Sequence, residues 1–274
     1  MTSKEKITFD GINPSPTRFS ELNELLINLV ISARNILGDN FFGAYLQGSF
    51  AVGDADMQSD CDFLIFINEQ LTDYQENELR KLHDEIPTRQ GHWTQHLEGS
   101  YPIASEFKTL KKLDAKWLYI DHGWREMQWD THCNNCWARW SLREKGITLI
   151  GPDPKNIVDP IPKGIMRDEA KKLLINIIAD THSWMPPTIA WGQRYIVTTA
   201  CRMLYTIKTG EVISKARCID WAAKNLDSRW LYLLKQVKED RKLGFDANAT
   251  PREGSMQEAY SFVKYVQSIG LKKN

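Results

Sequence analysis

Gly48, Ser49, Asp60, Asp62 and Glu98 are the residues whose types and spacing can do chemistry together. An apolar run over 41–47 reads as a strand and leads into a turn at Gly48 and Ser49. A second run over 62–67 reads as another strand, opened by Asp60, Cys61 and Asp62. Side chains two apart on a strand share a face, so Asp60 and Asp62 project together. Two carboxylates that close repel unless a cation lies between them. Hard oxygen ligands beside a phosphate suit Mg²⁺. Gly48 removes a side chain where backbone N–H groups can approach a phosphate, and the Ser49 hydroxyl adds a donor. Glu98 supplies a third carboxylate within a segment of β character over 92–103. Asp54 and Asp56 read as solvated loop residues.

The elements that must position these groups are legible in the hydrophobic pattern. Phe19, Leu22, Leu25, Leu26, Leu29, Val30, Ala33, Ile36 and Leu37 have helical spacing, with Pro16 ahead and Gly38 just past the end. Residues 72–86 read as a second helix, ending before Pro87. Pro160 and Pro162 mark a connection, and the chain beyond them is helical with no strand signal. Leu173, Leu174, Ile177 and Ile178 make one apolar stripe; Ile196, Val197, Ala200, Cys201 and Leu204 make the next, stopped by Gly210. Ser214 and Asp227 are suited to cap two further helices, and Ser255 with Glu258 has capping-box spacing for a fifth. The expected fold is α+β: a domain over 1–160 with a small mixed sheet and flanking helices, then an all-α bundle over 161–274.

Composition narrows the function classes. The 274 residues hold 35 basic and 35 acidic side chains, which argues against a protein that grips nucleic acid through a broad basic face. No apolar run has the length of a membrane span, and the N-terminus lacks a signal-peptide stretch, so the expected address is the cytoplasm. Five cysteines without framework spacing read as free thiols. Cys133 and Cys136 form a CxxC beside His132, but no second ligand pair completes a zinc site. Five of the ten tryptophans fall between Trp117 and Trp140, most of them suited to packing and one or two to lining a cleft.

Gly48 and Ser49, Gly53, and Ser59-Asp60-x-Asp62 match the motif of the nucleotidyltransferase superfamily with the polymerase-β-like fold. The segments 97–101, 149–152 and 198–210, with Ser214 and Lys215, resemble the streptomycin/spectinomycin type of aminoglycoside adenylyltransferase. The resemblance implies Mg²⁺-dependent transfer of AMP from ATP to a hydroxyl of an aminoglycoside or aminocyclitol, with release of pyrophosphate. It implies Asp60 and Asp62 as metal ligands and Glu98 as the base that deprotonates the hydroxyl. It further implies nucleotide contacts from Gly48, Ser49, Ser59, Arg202 and Lys215. Trp117 takes the place of a drug-stacking tryptophan. The sequence departs from the type at 191–194, where acids that would meet a cationic drug are absent; Asp180 and Glu169 are the substitutes. Spectinomycin-like aminocyclitols are therefore expected to outcompete the more cationic streptomycin. The expected partners are ATP and one small acceptor, with no nucleic acid and no membrane, for a monomer. Another acceptor, such as a lincosamide or a protein side chain, and a silent nucleotide-binding relative are the alternatives.

Overall fold

The structure, a computed structural model, describes residues 11–122 and 125–272. Its contacts divide the chain into two units, Met1–Ala55 with Ser59–Pro160, and Asp56–Gln58 with Ile161–Asn274.

The first unit is built on a six-stranded sheet of order β5-β4-β3-β2-β1-β6. The strands are β1 (Phe41–Leu46), β2 (Cys61–Ile67), β3 (Leu97–Tyr101), β4 (Trp117–Asp121), β5 (Arg125–Asp130) and β6 (Ile147–Ile150). Strands β2 and β3 pair in parallel and every other pair is antiparallel. Strand alternation sends the two sets of side chains into two cores. Cys61, Phe63, Ile65 and Ile67 join helices α1 (Ser20–Leu37) and α3 (Asp73–Glu85) through Leu22, Leu26, Leu29, Val30, Leu79 and Leu82. Leu64 and Phe66 face the other way, onto Tyr45, Phe107, Trp117 and Tyr119. That second face is closed by α4 (Ala104–Phe107), α5 (Cys136–Lys145) and α6 (Pro154–Ile157). A one-turn helix α2 (Gly48–Ala51) comes directly after β1.

The helix over 72–86 is α3, and Thr72 and Gln75 form its capping box. The segment 92–103 contributes less strand than its composition suggests, because a 3₁₀ turn at Trp93–Gln95 precedes β3. Strands β4, β5 and β6 and helix α5 carry no clear periodicity in the sequence. Strand β5, at one edge of the sheet, does alternate, with Met127 buried between exposed Glu126 and Gln128, but it is too short to stand out.

The second unit holds α7 (Lys163–His182), α8 (Ala190–Thr209), α9 (Lys215–Asn225), α10 (Leu231–Asp240) and α11 (Ser255–Gly270). Ile196, Val197, Ala200, Cys201 and Leu204 of α8 are fully buried. On α7 only part of the expected stripe is: Leu174 and Ile177 are buried, whereas Leu173 is 40% exposed. Ser214 caps α9 by accepting from the Arg217 N–H, and Asp227 caps the 3₁₀ turn Ser228–Trp230 that runs into α10. Gly210 ends α8 at φ 75°, in the left-handed region, with its N–H on the Thr206 carbonyl. The expected capping box at Ser255 is not formed. Ser255 lies inside the first turn and donates its hydroxyl to the Arg252 carbonyl, and Gly254 holds the cap position.

All five cysteines are buried free thiols, and burial pushes Cys133 and Cys201 well above the usual thiol range. Among the described residues no helix is long and apolar enough to cross a membrane.

Candidate active site

The turn from β1 into α2 is shaped by Asp62. Gly48 sits at φ 62°, and a Cβ added there would lie 2.6 Å from Asp62 Cγ. Glycine is thus required on two counts, backbone conformation and room for the carboxylate. The Gly48 N–H donates to Ser141 Oγ on α5 at 3.0 Å. The Gly48 N–H thus already has an acceptor, and its missing side chain makes space for the Asp62 carboxylate. Ser49 Oγ lies 3.5 Å from the Asp60 carbonyl, a long and weak contact. Ser59 is buried at the foot of the same loop.

Backbone bonds hold the Asp60 to Asp62 segment on both sides. Gln47 donates to the Asp62 carbonyl at 2.9 Å, and Cys61 donates to the His96 carbonyl at 2.7 Å. In the parallel pairing of β2 with β3, Asp62 is opposite Glu98; in the antiparallel pairing of β3 with β4, Glu98 is opposite Asp121. Partners directly opposite share a face. Asp62, Glu98 and Asp121 therefore form a row of carboxylates across three strands, on the face that carries Leu64 and Tyr119. Asp121 is the member that sequence reading missed. Its only signal is its place at the end of an apolar stretch, visible once β4 is known to neighbour β3.

Glu98 is largely buried, with 17% of its side chain accessible, and Tyr119 O–H donates to its Oε1 at 2.8 Å. His132 Nε2 lies 2.9 Å from the same oxygen. Burial, and next the Glu98 charge, raise the Tyr119 pKa, so the phenol keeps its proton. Asp60 is more open, at 45% side-chain exposure, with His96 Nδ1 3.4 Å from its Oδ1.

Among the described residues no group of three or more histidine, cysteine or acidic side chains is arranged to hold a metal ion. A two-carboxylate site is a different case. Mg²⁺ commonly takes one or two carboxylates and completes its shell with water and substrate phosphates. The oxygen donors of Asp60 and Asp62 fit that chemistry.

Trp117 requires a correction. It is 2% exposed, its indole N–H points to Glu106 Oε2, and Phe107 and the Arg139 guanidinium pack against its ring. Its faces are spent inside the second core, so it cannot stack on a drug.

In the second unit, Arg202 Nε donates to the Ile213 carbonyl at 3.1 Å, which ties it to the residues just ahead of Lys215. Lys215 is exposed at the first position of α9. Burial pushes the Cys218 thiol up to about 12 against the opposing pull of Arg202, Arg241 and Lys215. Arg241 is a basic residue sequence reading did not single out; it makes a two-pronged pair with Asp56, at 2.7 and 3.3 Å. Asp180 is exposed on the last turn of α7, and Glu169 pairs with Lys172 at 2.6 Å. The Arg194 guanidinium is committed to the Asp240 and Gly244 carbonyls, so it does not project as a free cation. Around it Trp184, Trp191, Tyr195 and Phe245 form an aromatic cluster. Trp191 stacks on Tyr195, and Trp184 is 49% exposed.

Comparison with known proteins finds matches to both halves of the chain. Residues 32–114 match the nucleotidyltransferase domain family, and residues 156–268 match the aminoglycoside adenylyltransferase C-terminal domain family. A spectinomycin 9-adenylyltransferase of Staphylococcus aureus is 24% identical over 252 residues, 86% of this chain and 90% of that protein. A protein of the same name from Campylobacter jejuni is 26% identical over 78% of this chain and 83% of its own length. An aminoglycoside (3'') (9) adenylyltransferase of Klebsiella pneumoniae is 25% identical, over 44% of each chain. Among solved structures, a spectinomycin adenyltransferase from Enterococcus faecialis, crystallised with ATP and spectinomycin, shares the fold. Its TM-score is 0.63 at 18% identity, covering 91% of this chain and 99% of that one.

Proposed function

The chain belongs to the nucleotidyltransferases of the aminoglycoside adenylyltransferase type, and on that premise we propose that it transfers AMP from ATP to a hydroxyl of an aminocyclitol or aminoglycoside, releasing pyrophosphate. The observation that carries this reading is the placement of Glu98 directly beside Asp62 across β2 and β3, with Asp60 two residues upstream. One carboxylate pair is suited to a metal and the third acid to a proton.

Asp60 and Asp62 would hold Mg²⁺, which when bound neutralises charge on the triphosphate. Glu98 takes the proton of the acceptor hydroxyl as its oxygen bonds to the α-phosphorus and pyrophosphate leaves. Gly48 keeps the Asp62 carboxylate seated. Arg202 and Lys215 carry charge suited to the nucleotide's phosphates. The acceptor we favour is spectinomycin-like. The relatives matched over most of their length are spectinomycin 9-adenylyltransferases, and half-buried Trp191, stacked on Tyr195, stands where carboxylates are absent.

Transfer of radiolabel from the α-phosphate of ATP, tried with spectinomycin, streptomycin and a lincosamide, tests the reading. Labelled spectinomycin with release of unlabelled pyrophosphate is the expected result. Label on the lincosamide alone would move the acceptor class. No label on any acceptor would overturn the proposal.

A further inference from the structure

Two polar side chains meet at Glu98 Oε1, one as a hydrogen-bond donor and one as a charge-pair neighbour. Tyr119 O–H is 2.8 Å away and His132 Nε2 is 2.9 Å away. A carboxylate oxygen offers two lone pairs in its plane, so these contacts occupy Oε1 and leave proton uptake to Oε2. The two side chains brace each other: the His132 ring stacks on Tyr119 with centroids 4.8 Å apart and planes at 28°. Tyr119 belongs to β4 and lies diagonally from Glu98 on the same sheet face, while His132 comes from the turn after β5. Polar side chains from two separate segments therefore converge on one atom. His132 is half-exposed, at 50% of its side chain, so it contributes little to core packing.

We propose that His132, backed by Tyr119, is a positioning residue that pins Glu98 Oε1 and thereby aims Oε2 at the acceptor hydroxyl. The inference rests on the reading of Glu98 as the base. Proton transfer from a hydroxyl depends on placement of the accepting atom within hydrogen-bond reach, so loosening the carboxylate lowers turnover without touching ATP affinity.

Steady-state kinetics with ATP and spectinomycin, on the full chain, test this against Glu98→Gln as the reference. His132→Ala is expected to lower kcat by about 10-fold with KM for ATP unchanged, and His132→Gln, which keeps a side-chain N–H, to recover most of the loss. Tyr119→Phe should lower kcat in the same way. Wild-type kcat in His132→Ala would overturn the proposal, as would equal loss in the Gln and Ala variants. A raised KM for spectinomycin at constant kcat would make His132 an acceptor contact instead and equally overturn it. If Glu98→Gln itself turns over normally, the base assignment fails and takes the proposal with it; if Glu98→Gln is inactive while His132→Ala is normal, only the positioning role fails.

Discussion

The carboxylate of Asp62 fills the space that a side chain on Gly48 would need; a Cβ there would stand 2.6 Å from Asp62 Cγ. Gly48→Ala should therefore act twice. An L-residue at φ 62° costs about 1–2 kcal/mol of stability, and the methyl group displaces the Asp62 carboxylate. A lowered melting temperature together with a transfer rate reduced far beyond the loss of folded protein is the expected outcome. A variant with full specific activity would show that Asp62 tolerates displacement and has no metal to hold.

Asp60→Ala and Asp62→Ala are each expected to abolish transfer while the protein stays folded. Asp60 is 45% exposed and contributes no core packing, so its loss removes repulsion rather than contacts. Melting temperatures equal to or above wild type, with no transfer in Mg²⁺ and ATP, are predicted. Near-normal turnover in either variant would exclude the metal-ligand assignment.

Trp117 separates a structural from a binding role. Trp117→Ala should destabilise by about 3–5 kcal/mol, the cost of removing a large buried ring. A milder variant, Trp117→Leu, should melt lower yet keep the wild-type KM for spectinomycin. A selective rise in that KM with unchanged stability would return Trp117 to the drug.

A buried histidine pair predicts acid sensitivity. His122 Nδ1 bonds the Thr94 carbonyl at 2.9 Å, which makes it the donor there and leaves His122 Nε2 to accept from His83 Nδ1 at 2.8 Å. His83 Nε2 then accepts from Tyr101 O–H at 2.7 Å. Burial holds both histidines below their ordinary value near 6.5, with His122 as a second cause for His83. The folded state thus binds fewer protons than the unfolded chain. The neutral pair's contribution is complete above about pH 6.5 and is lost as the pH falls below it. Urea unfolding at pH 8 and pH 5.5 should show lower stability in acid, with a smaller difference in His83→Gln. An equal difference in that variant would assign the acid loss elsewhere.

Arg194 is tied to the Asp240 and Gly244 carbonyls, so acceptor preference rests on missing acids rather than on its repulsion. Higher kcat/KM for spectinomycin than for streptomycin is expected. A clear streptomycin preference would refute the argument that the more highly charged drug needs carboxylates near 191–194.

Local patterns in the sequence determined much of this protein. The amphipathic spacing of 19–37 gave helix α1, and the apolar runs gave β1 and β2, with Asp60 just ahead of β2 and Asp62 inside it. The motif around Gly48 and Ser49 pointed to nucleotidyl transfer without any coordinates. These features depend on residues close in the chain, whose geometry the backbone period sets. The tertiary structure decided what depends on distant partners. Asp121 and Tyr119 meet Glu98 only because β4 lies beside β3, and His132 reaches it only through the turn after β5. Trp117 belongs to the core because Phe107 and Arg139 close over it, and Gly48 serves Asp62 because β2 returns against β1. Strand order and the packing of one element on another are set by long-range burial, which no window of the sequence contains.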